Sequence, residues 1–124
     1  MRIVKSALVA AALLSAALAG NPPAAHAMTT DGNWNVTIIT EKGSCDRAYS
    51  YNVNVSQGHV IYQGNAPVKL AGTVTPDGAV KVSISAGSKG ANGTGRLAGS
   101  EGVGTWHGRG SAGECAGRWE AVRR

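Results

Sequence analysis

Apolar and polar residues alternate with a period of two along most of this chain. In the first such segment Trp34, Val36 and Ile38 share one phase, and mostly polar residues occupy the other. The alternation recurs in later segments separated by short turns, and Pro76-Asp77-Gly78 is a strong turn signal. No segment after the N-terminal leader shows the 3.6-residue period of an amphipathic helix. One apolar phase per strand is typical of an antiparallel sheet with a single buried face, so the pattern predicts an all-β protein.

The last third of the chain is rich in glycine but keeps the same period. Glycines share a phase with large rings, as in Gly93, Gly95, Gly104, Gly117, Trp106 and Trp119. Glycine weakens strands, and runs of it usually mark tight curvature or the close approach of another group. Inward-facing glycines would leave room for indole rings and would let the strands coil into a barrel. We therefore predict that Trp34, Trp106 and Trp119 are core aromatics.

The first 27 residues differ from the rest. Arg2 and Lys5 precede an apolar stretch over residues 7–19, and Ala25-His26-Ala27 matches an A-x-A cleavage site. The apolar stretch is shorter than the roughly 20 residues that a membrane span needs. The pattern predicts a cleaved Sec-type signal peptide over residues 1–27 and a single β-barrel-like domain over residues 28–124, with no transmembrane segment in that domain. Export would place the domain in the periplasm or outside the cell.

Two cysteines, Cys45 and Cys115, enclose most of the predicted domain. In an oxidising compartment they are expected to form a disulfide, since no C-x-x-C motif or metal-ligand spacing is present. In an eight-stranded meander the end of the first strand faces the start of the last, where these cysteines fall. We therefore predict an antiparallel up-and-down meander of about eight strands, closed or nearly closed into a small barrel with one disulfide. The same arrangement predicts that Trp34 and Trp119 meet at the other end of this seam.

Charge gives little indication of a partner. The chain contains 12 Lys and Arg against 7 Asp and Glu, but two of the basic residues belong to the predicted leader. The other basic residues are scattered, and six of them are assigned to the polar phase of candidate strands: Lys69, Lys81, Lys89, Arg96, Arg109 and Arg118. Because no dense basic run with interleaved aromatics is present, we interpret them as a solvated face and predict no nucleic-acid binding.

The sequence contains no residue pattern typical of catalysis. The carboxylates fall mostly in turns, and neither His59 nor His107 has a Ser or Cys nucleophile in register. We predict a protein that is not an enzyme and has no cofactor and no metal site. Tyr49, Tyr51 and Tyr62 have two interpretations, because they could line a ligand pocket or fill the core of a small barrel. A tyrosine hydroxyl needs water or a partner, which favours a position near a barrel mouth.

Six short motifs are spread over the predicted domain. They are Gly32-x-Trp34, Cys45-Asp46-x-Ala48-Tyr49, Gly58-x-Val60-x-Tyr62, Gly93-x-Gly95-x-Leu97-x-Gly99, Gly104-x-Trp106-x-Gly108 and Cys115-x-Gly117-x-Trp119. Together they resemble a group of small secreted alphaproteobacterial proteins of unknown function, some loosely labelled haem-utilisation or adhesion exoproteins. The resemblance implies no particular activity or site. More distantly, the meander resembles lipocalin and avidin-type barrels and small barrel inhibitors of metalloproteases, a likeness of architecture that does not imply function.

These observations predict an exported, non-enzymatic β-domain that binds a small ligand or a component of the cell envelope. One alternative is a protein-interaction module, such as a protease inhibitor or an envelope-stress factor. Another is a haem-related binding or adhesion protein. A pocket large enough for a ligand would favour the first function, whereas a filled interior with a mobile, exposed N-terminal arm over residues 28–33 would favour an interaction module.

Overall fold

A computed structural model describes residues 29–124, and in it eight antiparallel strands close into a barrel. The strands are β1 (Gly32–Lys42), β2 (Ala48–Ser56), β3 (His59–Tyr62), β4 (Lys69–Val74), β5 (Ala79–Ala86), β6 (Lys89–Ala98), β7 (Glu101–Gly110) and β8 (Gly113–Arg123). Each strand pairs with the next along the chain, and β8 pairs with β1. The predicted all-β meander with one disulfide is therefore confirmed. The predicted signal peptide, residues 1–27, lies outside the described residues.

The apolar phase of the strands forms the core of the barrel. Alternate side chains of a strand point to opposite faces of the sheet, so one phase turns inward throughout. The buried apolar residues include Trp34, Val53, Val55, Val60, Val74, Val80, Leu97, Trp106, Trp119 and Ala121. The opposite phase is mostly exposed, as Lys81 and Thr94 show. Between residues 29 and 124, no helix is long and apolar enough to cross a membrane.

Glycines of β6 and β7 make room for the indole ring of Trp119. A Cβ atom added to Gly95 or Gly104 would overlap this ring, and one added to Gly102 would lie 3.4 Å from it. The strand register places Gly104 opposite Gly95 on one side and opposite Trp119 on the other. The wall beside the ring is therefore built from residues without side chains, as the shared phase of Gly and Trp predicted.

The disulfide closes the seam between β1 and β8. Cys45 follows β1 and Cys115 lies near the start of β8, with 6.1 Å between their Cα atoms. Two glycines permit this approach, because a Cβ atom at Gly43 would lie 2.8 Å from Sγ of Cys115, and one at Gly110 would lie 2.8 Å from Sγ of Cys45. Gly43 also has a φ of 91°, which residues with a side chain rarely adopt.

At the other end of the seam the register differs from the prediction. Trp34 lies opposite Arg123, whereas Trp119 lies opposite Ile38 in the middle of β1. The prediction that Trp34 and Trp119 meet at this end is therefore wrong. Strand β8 continues beyond Trp119 along β1, and the residue that it places opposite Trp34, on the inward face, is Arg123.

The wall between β3 and β4 is joined only at one end. The single residue pair between these strands is His59 with Thr73, at the start of β3 and near the end of β4. Toward the opposite end the strands have no pairing in the described residues, and residues 63–68 connect them. The unpaired stretch lies at the end of the barrel that carries the disulfide.

Candidate ligand-binding site

The two ends of the barrel differ in how they are covered. The end at which β1 starts and β8 finishes, here called the closed end, is covered by residues 29–31. The end that carries the β1–β2 loop and the disulfide, here called the open end, leads to a cavity. Because strands alternate in direction, the turns β1–β2, β3–β4, β5–β6 and β7–β8 all lie at the open end.

Trp34 fills the closed end. Its side chain is 1% exposed, and its indole Nε1–H donates a hydrogen bond of 2.9 Å to the backbone carbonyl of Thr30. The guanidinium carbon of Arg123 lies 4.6 Å from the centre of the Trp34 ring, which is a cation–π contact. Arg123 in turn donates to the carbonyl oxygens of Asp31 and Thr29, each at 2.7 Å. The N-terminal segment is therefore tied to the last strand.

The carboxylate of Asp31 adds a second connection at the closed end. It accepts hydrogen bonds from the backbone N–H groups of Gln57, at 2.8 Å, and Gly58, at 3.4 Å, in the turn between β2 and β3. Residues 29–31 are thus held by the first turn and by the last strand, and they plug the closed end. Met28, the first residue of the predicted N-terminal arm, lies outside the described residues.

An apolar cavity of about 110 Å³ lies inside the barrel. Its wall contains aliphatic side chains of β1, β2, β4 and β5 and all three tryptophans, and among residues 29–124 no Asp, Glu, Lys, Arg or His lines it. An apolar cavity of this kind tends to stay dry, and one of about 150 Å³ binds benzene. The interior is therefore not completely filled by the core side chains.

A second cavity, of about 450 Å³, occupies the open end and is called the mouth. Five residues line both the mouth and the inner cavity: Tyr49, Tyr51, Ile84, Ala91 and Trp106. The two cavities therefore adjoin at this level. The upper wall of the mouth is more polar and includes Ser44, Asp46, Lys89, Arg109 and Ser111. A molecule in the mouth would meet charged and hydroxyl groups above and an apolar wall below.

The three tyrosines predicted as ligand-lining residues have different positions. Tyr49 and Tyr51 line both cavities, and their rings meet edge to face with centroids 5.6 Å apart. Tyr62 lines neither cavity but packs edge to face against Tyr51 at 5.8 Å. The hydroxyl of Tyr62 accepts a hydrogen bond from the backbone N–H of Ala66 at 3.1 Å. It thus supports Tyr51 and the loop over residues 63–68.

The hydroxyls of the two lining tyrosines are protonated, and burial strengthens this preference. Desolvation raises the pKa of Tyr49 and of Tyr51 above the ordinary value of 10.0, and the nearby negative charge of Asp46 raises that of Tyr49 further. Both residues are neutral at physiological pH and can donate a hydrogen bond. They place two donors at the level where the mouth meets the apolar cavity.

The indole N–H groups of the other two tryptophans are used within the barrel wall. Nε1–H of Trp106 donates to the carbonyl of Ile39 at 3.1 Å, and Nε1–H of Trp119 donates to that of Thr94 at 3.2 Å. Both side chains are buried. Like Trp34, these residues therefore present only carbon surface to the cavity.

Lys89 occupies the inward phase, and its assignment to the polar phase is wrong. The inward residues of β6 are Ala91, Gly93, Gly95 and Leu97, and Lys89 continues this series at the open end. Its side chain lines the mouth. The signal was present in the sequence, because counting back by two from Ala91 reaches Lys89. Five other basic residues were assigned to the polar phase. Of these, Arg109 also lines the mouth, whereas Lys69, Lys81, Arg96 and Arg118 are exposed and line neither cavity.

The two histidines outside the predicted leader are remote from the cavities. His59 and His107 are exposed and line neither cavity. Over the part of the chain that the structure describes, no group of three or more His, Cys, Asp or Glu is placed to hold a metal ion.

Fold and site together define a closed eight-stranded antiparallel barrel with an apolar interior that opens at one end. Comparison with protein families, with curated proteins and with solved structures finds no match for this chain. These comparisons do not bear on the resemblance to small secreted alphaproteobacterial proteins, which stays a prediction.

Proposed function

We propose that this protein is a non-enzymatic binding protein for a small, largely apolar ligand, which enters the barrel through the open end. The observation that carries the proposal is the apolar cavity of about 110 Å³ adjoining a mouth of about 450 Å³. Ligand sites are typically concave, mostly apolar spaces of roughly 300–1,000 Å³ with a few polar groups that orient the ligand. The two cavities together have this size and this arrangement of groups.

The closed end favours ligand binding over a protein-interaction module. An inhibitor that works through its N-terminal arm needs that arm to be exposed and mobile. Here Thr30 is buried, and Thr29 and Asp31 accept hydrogen bonds from Arg123. The haem alternative has less support, because no His or Met side chain lines the described cavity walls, and the raised pKa of Tyr49 and Tyr51 disfavours the phenolate that a tyrosine ligand needs.

Export to an oxidising compartment is part of the proposal. The disulfide between Cys45 and Cys115 supports it, because such bonds persist mainly outside the reducing cytoplasm. A barrel of this size has a small core, and the cross-link would keep it folded whether or not the cavity is occupied.

The experiment is a titration of the disulfide-bonded protein with 1-octanol, an uncharged apolar probe. Trp106 lines both cavities, so its fluorescence should change on binding. Ala91→Phe places a ring at the level where the cavities adjoin and should abolish binding. Ala71→Phe, on the exposed face of β4, is the matched control and should bind as the unmodified protein does. Absence of binding to the unmodified protein, or equal binding by Ala91→Phe, would contradict the proposal.

A further inference from the structure

Each end of the barrel carries one cation on an inward strand position. At the closed end this residue is Arg123, whose charge is compensated by the Trp34 ring and by backbone carbonyls. At the open end it is Lys89, which lines the mouth. Among residues 29–124, Lys89 has no carboxylate within the 4.0 Å of an ion pair. The cation at the open end is therefore available to a ligand, whereas the one at the closed end is not.

The other charges of the mouth are unequally distributed around its rim. Arg109 lies opposite Gly90 in the strand register, so Arg109 and Lys89 are neighbours on the rim formed by β6 and β7. The guanidinium of Arg109 lies 3.4 Å from the carboxylate of Glu114. Among the described residues, Asp46 is the one carboxylate that lines the mouth, and it lies in the β1–β2 loop, half-way around the barrel from the turn before Lys89. Lys89 is thus the uncompensated positive charge on the β6–β7 side of the mouth.

The region below this rim favours an apolar group of limited size. The inner cavity of about 110 Å³ is smaller than the cavity of about 150 Å³ that binds benzene, so it favours a short alkyl chain over a ring. Tyr49 and Tyr51 line the junction and can donate hydrogen bonds to an oxygen atom there. Along the axis from the interior to the rim, the wall is first apolar, then carries the tyrosine hydroxyl groups, and at the rim carries the ammonium group of Lys89.

We infer that the ligand is an amphipathic monocarboxylic acid, with its short alkyl part in the inner cavity and its carboxylate at Lys89. This inference rests on the proposed function and adds the chemistry of the head group. Carboxylates bind ammonium groups through charge-assisted hydrogen bonds, which are stronger than those between neutral groups. Lys89 lines the mouth and provides such a donor, whereas the guanidinium of Arg109 already pairs with Glu114.

The test compares three probes with the same eight-carbon chain, namely octanoate, 1-octanol and octylamine, at pH 7 and low salt. The dissociation constant of each is measured by calorimetry with the disulfide-bonded protein. Octanoate should bind roughly three- to tenfold more tightly than 1-octanol, and octylamine should bind most weakly. Lys89→Gln should remove the advantage of octanoate over 1-octanol. Lys81→Gln, on the exposed face of β5, is the matched control and should keep that advantage.

Three other outcomes would overturn the inference. Equal affinities for octanoate and 1-octanol would show that the head group is not recognised, while the proposed binding function would stand. Tightest binding of octylamine, lost in Asp46→Asn, would assign the mouth to a cationic ligand instead. No binding of any of the three probes would contradict the inference and the proposed function together.

Discussion

The guanidinium carbon of Arg123 lies 4.6 Å from the centre of the Trp34 ring and covers it at the closed end of the barrel. The contact joins the last strand to the first, because the two residues are directly opposite in the pairing of β8 with β1. Arg123 also donates to the carbonyls of Thr29 and Asp31. One side chain thus holds the N-terminal segment over the core tryptophan and closes the end opposite the mouth.

Replacement of Arg123 should loosen the closed end. We expect Arg123→Met to lower the free energy of unfolding by about 2 kcal/mol, since it removes a cation–π contact and leaves backbone carbonyls without their donors. Urea unfolding followed by tryptophan fluorescence measures this loss. Arg124→Met, at the exposed neighbouring position, is the control and should change stability little. Equal losses in both variants would mean that Arg123 contributes only charge.

A side chain at Gly104 should be poorly tolerated. A Cβ atom there would overlap the carbonyl oxygen of Thr94 and the ring of Trp119. We expect Gly104→Val to lower the free energy of unfolding by about 3 kcal/mol, at the upper end of the usual cost of overpacking. Thr94→Val changes an exposed residue of the adjacent strand and should be nearly neutral in the same measurement. Similar losses in the two variants would show that the inward face of this wall has been assigned incorrectly.

The disulfide should contribute a large part of the stability. Cys45 and Cys115 are separated by 70 positions, and in the chain-entropy model a loop of this size stabilises the folded state by about 4 kcal/mol. The double variant Cys45→Ser, Cys115→Ser should therefore unfold at a much lower urea concentration. A reducing agent should destabilise the unmodified protein and leave the double variant unchanged. Two alkylatable thiols in the exported protein would contradict a structural disulfide.

Truncation of an aromatic side chain should cost more at a buried position than at a partly buried one. Trp106 is buried and donates a hydrogen bond to Ile39, so we expect Trp106→Ala to cost about 3–5 kcal/mol. Tyr51 is only partly buried and borders existing space, so Tyr51→Ala should cost about 1–2 kcal/mol and weaken the binding of 1-octanol. Thermal unfolding and the octanol titration separate the two effects. A stable Trp106→Ala variant would contradict the core assignment of this tryptophan.

Alkaline pH should destabilise the barrel. The pKa of Tyr49 and of Tyr51 is raised by burial above its ordinary value of 10.0, so the folded state retains these protons more strongly than the unfolded state does. The resulting contribution to stability is complete below pH 10.0 and is lost as the pH rises through the folded-state pKa values. Urea unfolding between pH 8 and pH 11 should show this fall. The double variant Tyr49→Phe, Tyr51→Phe should show a shallower one, and an identical fall in both proteins would contradict the assignment.

The strands and their inward phase could be predicted from local pattern. Alternation of Trp34, Val36 and Ile38 already indicates one strand and its buried face, because successive side chains of a strand point to opposite sides whatever the strand pairs with. The same rule identified the inward glycines beside Trp119. It would also have assigned Lys89 correctly if the count from Ala91 had been continued to the end of the strand.

The disulfide was predictable for a different reason. Its two cysteines are the only ones in the chain, and an up-and-down order of eight strands brings the end of the first to the start of the last. Topology alone therefore places Cys45 near Cys115. It does not give the register of the seam, and for that reason the partner of Trp34 was predicted wrongly.

The candidate ligand-binding site could not be predicted from the sequence, because it depends on how the barrel closes. Which end is plugged depends on how Arg123 and residues 29–31 meet across the seam, and which tyrosines reach the cavity depends on the pairing of β2 with its neighbours. The side-chain phase, inward or outward, is a property of each strand by itself, so the alternation in the sequence predicts it. Register and enclosed volume are properties of all eight strands together, because they follow from the best simultaneous packing of indole rings, glycines and turns, and only the tertiary structure decides them.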